Sequence, residues 1–175
     1  MSHRDTIRHA MKQKVVLTLV LFVLLLCSRT TSVEASDLRV LKLRKYFSTY
    51  NVLLADQAES FVKVADTNNL DYRLLPAISG VESTFGRNYI VGTYNVYGWG
   101  GGLIYFKSWT DGIKQIATAI NQKPYRGVEP EALGPIYCPP NSVKWAYNVR
   151  YFMNEIEQTE LADLPVKQLL ITMYF

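Results

Sequence analysis

Glu82 closes the most apolar stretch of the chain's globular part, after Ala77-Ile78-Ser79-Gly80-Val81 and before Ser83-Thr84-Phe85-Gly86. A carboxyl group held against apolar neighbours loses hydration of its charged form, so it keeps its proton to higher pH and can serve as a general acid. The next residues surround such an acid with rings. Phe85, Tyr89, Tyr94, Tyr97, Trp99, Tyr105, Phe106 and Trp109 place eight aromatics among residues 85–109, and flat rings with polar edges suit the faces of sugars. Because they are interleaved with glycine rather than spaced along a helix, some of them should face a groove; Tyr94, Tyr97 and Trp99 are the candidates. No Asp or Glu occurs from Ser83 to Thr110, so the aromatic segment that follows Glu82 supplies no second acid. Two-carboxylate glycoside hydrolysis sets its acids about 5 Å or roughly 6.5–9.5 Å apart. A single carboxyl must instead give a proton and then take one back. Asp56, Glu59 and Asp66 fall on the polar face of a periodic helix and are read as solvated charge.

Composition narrows the chemistry further. Both histidines, His3 and His9, lie in the first ten of 175 residues. Arg4, Arg8, Lys12 and Lys14 precede an apolar run from Val15 to Cys27 interrupted only by Thr18, and Val33-Glu34-Ala35 follows. This pattern reads as a secretory signal peptide over residues 1–35, cut after Ala35, with an uncut signal anchor as the alternative. The expected destination is the cell envelope, periplasm or exterior, with membrane contact only through an uncleaved leader. Removal of the leader leaves 14 bases and 13 acids on 140 residues, which gives no electrostatic reason to hold nucleic acid. With no histidine left, Ser-His-Asp and Cys-His nucleophile systems and His-ligated zinc are excluded. No metal and no organic cofactor is implied. Only Cys138 remains after cleavage, so no internal disulfide is expected; it reads as a small buried hydrophobe. A monomer is expected.

The elements that must position Glu82 are mostly helical. Residues 36–50 form a basic arm, a helix or a loose segment, carrying Arg39, Lys42, Arg44 and Lys45. Leu54, Ala58, Phe61, Val62 and Ala65 mark one face of a helix that Asn68-Asn69 ends. Asp71 can cap a second helix with Leu74, Leu75, Ile78 and Val81 on one stripe, starting regularly near Leu74 because of Pro76. Six glycines between Gly86 and Gly102 alternate with β-favouring residues, predicting turns with short strands in a small lobe or flap. Ser108 and Asp111 have capping-box spacing ahead of a helix with Ile113, Ile116, Ala117 and Ile120. The proline-rich stretch from Lys123 to Pro140 reads as an excursion, and Ser142 caps a last helix with Ala146, Val149, Phe152, Met153 and Ile156 on one face. The division is a 51–160 catalytic domain followed by a 161–175 tail.

Glu82-Ser83-Thr84-Phe85-Gly86, Tyr94-Asn95-Val96-Tyr97-Gly98-Trp99-Gly100 and Phe106-Lys107-Ser108-Trp109 before a helix resemble the lysozyme-like superfamily. Within it they are similar to the endo-β-N-acetylglucosaminidase-like domains and the lytic transglycosylases, over roughly residues 50–158. The resemblance implies a mainly α, α+β lysozyme-like fold with a cleft between two lobes, acting on the β-1,4 bonds of peptidoglycan glycan strands. It implies Glu82 as the catalytic acid, followed by Ser83, with Asn95, Tyr97 and Gly98 lining the cleft opposite. The transglycosylase pattern has a Gly-Leu-Met-Gln type segment where this chain has Val96-Tyr97-Gly98-Trp99. The glucosaminidase pattern fits the loop better, with Trp99 in place of an aliphatic residue. Tyr94 or Tyr147 are candidates to hydrogen-bond Glu82 or the developing charge. The alternative is a non-catalytic glycan-binding module of the cell envelope that keeps the cleft without turnover.

Overall fold

The computed structural model describes residues 31–50, 52–122 and 129–161, with the side chains of these residues from Leu38 onward apart from Val52. The leader before residue 31 and the tail from residue 162 lie outside the described residues. The molecule is mainly helical: α1 (Thr31–Ser48), α2 (Val52–Ala55), α3 (Ala58–Asn68), α4 (Leu74–Ser83), α5 (Trp109–Ile120), α6 (Pro130–Tyr137) and α7 (Ser142–Glu157), with a 3-10 turn at Pro139–Asn141. Helix α4 lies against α7, which also packs on α6 and α1, while α3 bridges α1 and α5. No helix among the described residues is long and apolar enough to cross a membrane.

The apolar stripes behave as their periodicity requires. Ala58, Phe61, Val62 and Ala65 are buried on α3, and Asn69 ends that helix in the left-handed region at φ 52°. Leu54 is buried too, but on the separate short α2, because a turn at Asp56-Gln57 interrupts the helix. In α4 the residues from Leu74 to Gly80 are all buried. Pro76 falls in the first turn, where its missing N–H has no intrahelical partner to lose. The Asp71 carboxylate accepts the Arg73 backbone N–H at 2.9 Å just ahead of the helix. Ser108 accepts the Asp111 N–H at 3.1 Å, while Asp111 accepts the Lys107 N–H at 2.9 Å, which caps α5 reciprocally.

Three expectations need correction. First, the basic arm is part of the core: Leu43, Tyr46 and Phe47 of α1 are buried with the other helices. Its cations fasten it in place. Arg39 grips Asp66 through both guanidinium nitrogens at 2.7 and 2.9 Å, Lys42 reaches Glu157, and Lys45 donates to the Glu160 carbonyl. Partly exposed pairs of this kind contribute about 0.2–1 kcal/mol each, so burial of the apolar face of α1 holds it more strongly than its charges do. Second, the proline-rich stretch contains a helix. Pro130 occupies the first position of α6, where its fixed φ suits helix entry, and Leu133 and Gly134 are buried against α7. Third, no strand occurs among the described residues, and the 84–107 segment is a chain of turns. Thr84, Phe85 and Tyr94, together with all six glycines, have positive φ, which prevents the continuous extended backbone that strand pairing needs.

The crossing of α4 and α7 depends on one close approach. A Cβ on Gly80 would stand 2.5 Å from the Phe85 ring and 3.0 Å from the Phe152 ring. The Phe85 ring is itself enclosed, with Tyr46, Phe47, Tyr50 and Phe152 centroids at 5.5, 6.0, 4.4 and 4.9 Å. It cannot swing aside cheaply. Gly80→Ala should therefore destabilise the fold by about 1–3 kcal/mol despite alanine's better helix propensity, as read from the midpoint of urea unfolding. Unchanged or increased stability would mean that the crossing relaxes freely.

Candidate functional site

Glu82 reaches its position because of how α4 ends. The Thr84 N–H bonds to the Gly80 carbonyl at 3.1 Å, and the Phe85 N–H to the Ser79 carbonyl at 3.0 Å, the paired closure of a left-handed helix terminus. Thr84 and Phe85 take φ of 51° and 57° without being glycine. Burying the Phe85 ring offsets the steric cost of that backbone. Ser83, one residue after Glu82, is buried. Its hydroxyl contacts the Ser79 and Val96 carbonyls at 3.0 and 2.8 Å and accepts the Gly86 N–H at 2.9 Å. Ser83 thereby joins the helix end to the loop that follows, and its polar atom is turned inward rather than toward a groove.

Asn95 organises that loop. Its amide donates to the Trp99 and Ile104 carbonyls at 2.8 and 3.2 Å, and its oxygen accepts the Tyr97 and Trp99 N–H groups at 3.3 and 3.2 Å. All four contacts are to backbone, and the residue is buried. Tyr97 is fully buried, with its hydroxyl unpartnered by any protein atom and its ionisation pushed up by burial. Of the residues expected along the groove, Gly98 is exposed and Trp99 half-exposed. Tyr94 stands half-buried with its ring edge-on to Trp109 at 5.2 Å.

The Glu82 side chain emerges between these elements. Oε1 accepts a hydrogen bond from the indole Nε1–H of Trp145 on α7 at 2.7 Å. Trp145 stacks on Tyr137 of α6, with centroids 4.8 Å apart and planes 24° from parallel, and Tyr137 meets Trp99 at 5.6 Å. The Tyr137 hydroxyl donates to the Tyr97 carbonyl at 2.7 Å, tying α6 to the loop. A row of three rings thus runs from the loop to Glu82. On the other side of the carboxyl, a Cβ at Gly98 would lie 2.7 Å from Oε2, so the glycine, at φ +62°, is what leaves that oxygen room. Burial raises the Glu82 ionisation above the usual carboxylate range, and the Trp145 hydrogen bond partly opposes it.

The partner of Glu82 is therefore Trp145 rather than Tyr147. Two residues along a helix are separated by about 200° around its axis, and Tyr147 is 70% exposed on a separate groove of about 340 Å³ with Val143, Ala146 and Arg150. Trp145 and Tyr137 are the residues that sequence reasoning missed. Their signal was present in part: Trp145 stands four positions before Val149 and eight before Met153, on the buried stripe of α7. Cys138 is a free, half-buried thiol packed against the core. Among the described residues, no group of three or more His, Cys, Asp or Glu side chains gathers as a metal site. Comparison with protein-family models, curated proteins and solved structures finds no match to this chain.

Two stability measurements check this geometry. Asn95→Ala removes one hydrogen bond from each of two carbonyls and two N–H groups and should cost about 1–3 kcal/mol; Asn95→Asp, which points an anion at the same carbonyls, should cost at least as much near neutral pH. Loss of less than a few tenths of a kcal/mol in urea unfolding would show that the loop holds without Asn95. For Glu82, a folded-state pKa above the unfolded value means that the native state binds its proton more tightly. The group's contribution is then most favourable below the unfolded pKa and declines as pH rises through the folded pKa. The stability of Glu82→Gln relative to wild type should accordingly increase with pH across that window, and a difference independent of pH would contradict the burial.

Proposed function

We propose that this protein is an exported enzyme that cleaves the β-1,4 bonds of peptidoglycan glycan strands, with a lysozyme-like cleft between the helices and the 84–107 loop and Glu82 as its single general acid and base. The observation that carries the reading is the setting of Glu82: a half-buried carboxyl at a helix end, one oxygen held by a neutral donor and the other beside exposed glycine backbone. The ring row supports it. Trp99 and Tyr137, in the row that leads to Trp145 and through it to the carboxyl, are only partly buried, and partly open rings offer faces to the CH groups of aminosugars. The loop adds no carboxylate from Ser83 to Thr110, and Asp111 is occupied in capping α5.

The chemistry follows from one carboxyl acting twice. Protonated Glu82 gives its proton to the bridging oxygen as the C1–O bond breaks, and positive charge develops at C1 and the ring oxygen. The resulting Glu82 carboxylate then takes a proton from the nucleophile that bonds to C1. With the C6 hydroxyl of the same muramic acid as nucleophile, the product is a 1,6-anhydro sugar; with water, assisted by the substrate's N-acetyl group, it is a reducing end. Both routes balance with Glu82 alone. The raised ionisation of Glu82 keeps the acid form available closer to neutral pH than an exposed glutamate would.

Zymography on gels containing cell wall tests the assignment. Wild type should clear the gel and Glu82→Gln should lose at least about a hundredfold in rate, the scale set by removal of a general acid. Clearing by both would remove Glu82 from the reaction, and clearing by neither, with glycan binding retained, would identify a non-catalytic module. Mass spectrometry of the fragments then separates the two nucleophiles, since the anhydro product is one water lighter than the reducing sugar.

A further inference from the structure

Resting on that reading of Glu82, we infer that Trp145 is a positioning residue that decides which oxygen of Glu82 carries the reactive proton, confining it to Oε2, and that Gly98 is the position that leaves this oxygen accessible to the bridging oxygen of the substrate. The indole N–H is a donor and never an acceptor. In a protonated carboxyl the carbonyl oxygen accepts far more strongly than the hydroxyl oxygen, so the 2.7 Å bond to Oε1 favours the carbonyl there and the proton on Oε2. That oxygen faces Gly98, which is exposed and has no side chain to cover it. A tyrosine or serine in place of Trp145 could turn its hydroxyl and accept a hydrogen bond from a protonated Oε1, which would leave the acid two competing arrangements. Trp145 removes one of them.

The indole is itself held from both sides. It is buried on α7, stacks on Tyr137, and through the Tyr137 hydroxyl is linked to the Tyr97 carbonyl. The oxygen selection and the position of the Gly98 backbone are thus set by one connected group of side chains. The other titratable or charged groups on the elements around Glu82 are Glu131 and Tyr137 on α6, Arg87, Tyr89, Tyr94, Tyr97, Tyr105 and Lys107 in the loop, and Lys144, Tyr147, Arg150, Tyr151, Glu155 and Glu157 on α7. Arg150 is committed to Glu129 and Glu131. Burial and the Trp145 bond account for the ionisation of Glu82 without a contribution from any of these groups.

The test uses full-length Trp145→Phe and Gly98→Ala, with Glu82 observed directly by the ¹³C resonance of its labelled carboxyl carbon and assigned with Glu82→Gln. Trp145→Phe keeps a buried ring while removing the donor that favours the carboxylate. The Glu82 titration should move to higher pH, the alkaline limb of kcat/KM should move with it, and kcat should fall roughly ten- to hundredfold with little change in KM. A purely structural role for Trp145 would lower activity at every pH without displacing either curve. Gly98→Ala should abolish cleavage while Glu82 still titrates. An unmoved or lowered Glu82 titration in Trp145→Phe overturns the inference, as does full cleavage by Gly98→Ala. Both outcomes are distinct from failure of the enzymatic reading, in which folded wild type does not cleave at all; the carboxyl titration then still reports whether the Trp145 N–H bonds to Glu82.

Discussion

Capture of the Phe85 ring beneath Tyr46, Phe47, Tyr50 and Phe152 sets where α4 stops, and the rest of the site depends on that end point. With Phe85 drawn into the core, the chain must leave α4 through two left-handed non-glycine residues. Glu82 then faces the loop while its neighbours Ser79 and Gly80 face the helices. A slip of one residue would rotate the carboxyl by about 100° around the helix, away from Trp145 and into either the core or open water. Apolar burial therefore has an electrostatic result here. It places an ionisable group at the depth where hydration is reduced but access is kept.

The carboxyl is served by neutral groups. An arginine or lysine in place of Trp145 would favour the ionised form strongly and hold Glu82 as a structural anion. An indole N–H orients the same oxygen with much weaker stabilisation of the charge. Burial remains the larger influence, and the group stays responsive to proton exchange. Asn95 follows a related logic in the loop: it supports four backbone contacts without introducing a charge, so the segment beside Glu82 gains rigidity and the carboxyl gains no competing ion.

The features readable from the sequence were those controlled by local rules. Apolar periodicity located α3, α4, α5 and α7, the Ser108–Asp111 spacing gave a real cap, whereas Ser142 is the first residue of α7 rather than its cap, and the apolar context of Glu82 anticipated its reduced hydration. Features set by tertiary contact were not readable. Residues 85–106 have strand-like composition, but the glycines and left-handed residues that break extended pairing outweigh it. Pro130 and Pro135 suggested an excursion, although Pro130 suits the first position of a helix and burial of Leu133 and Gly134 on the α7 side holds α6 despite Pro135 within it. Asn95 and Tyr97 were anticipated as lining a groove, whereas Asn95 commits its polar atoms to backbone and Tyr97 is enclosed. Trp145 was overlooked because an aromatic residue on a buried stripe looks the same whether or not its N–H finds a carboxylate 63 residues away.

The incorporation of α1 into the core changes what counts as the minimal unit of this protein. A fragment starting at residue 51 would keep Phe61, Phe85 and Phe152 but lose Tyr46, Phe47 and Tyr50, three of the rings that pack on them. The uncovered aromatic surface would favour self-association over a soluble monomer. Expression boundaries drawn at the change from basic to apolar composition would thus cut through the interior of the molecule, and a workable truncation has to begin upstream of Arg39.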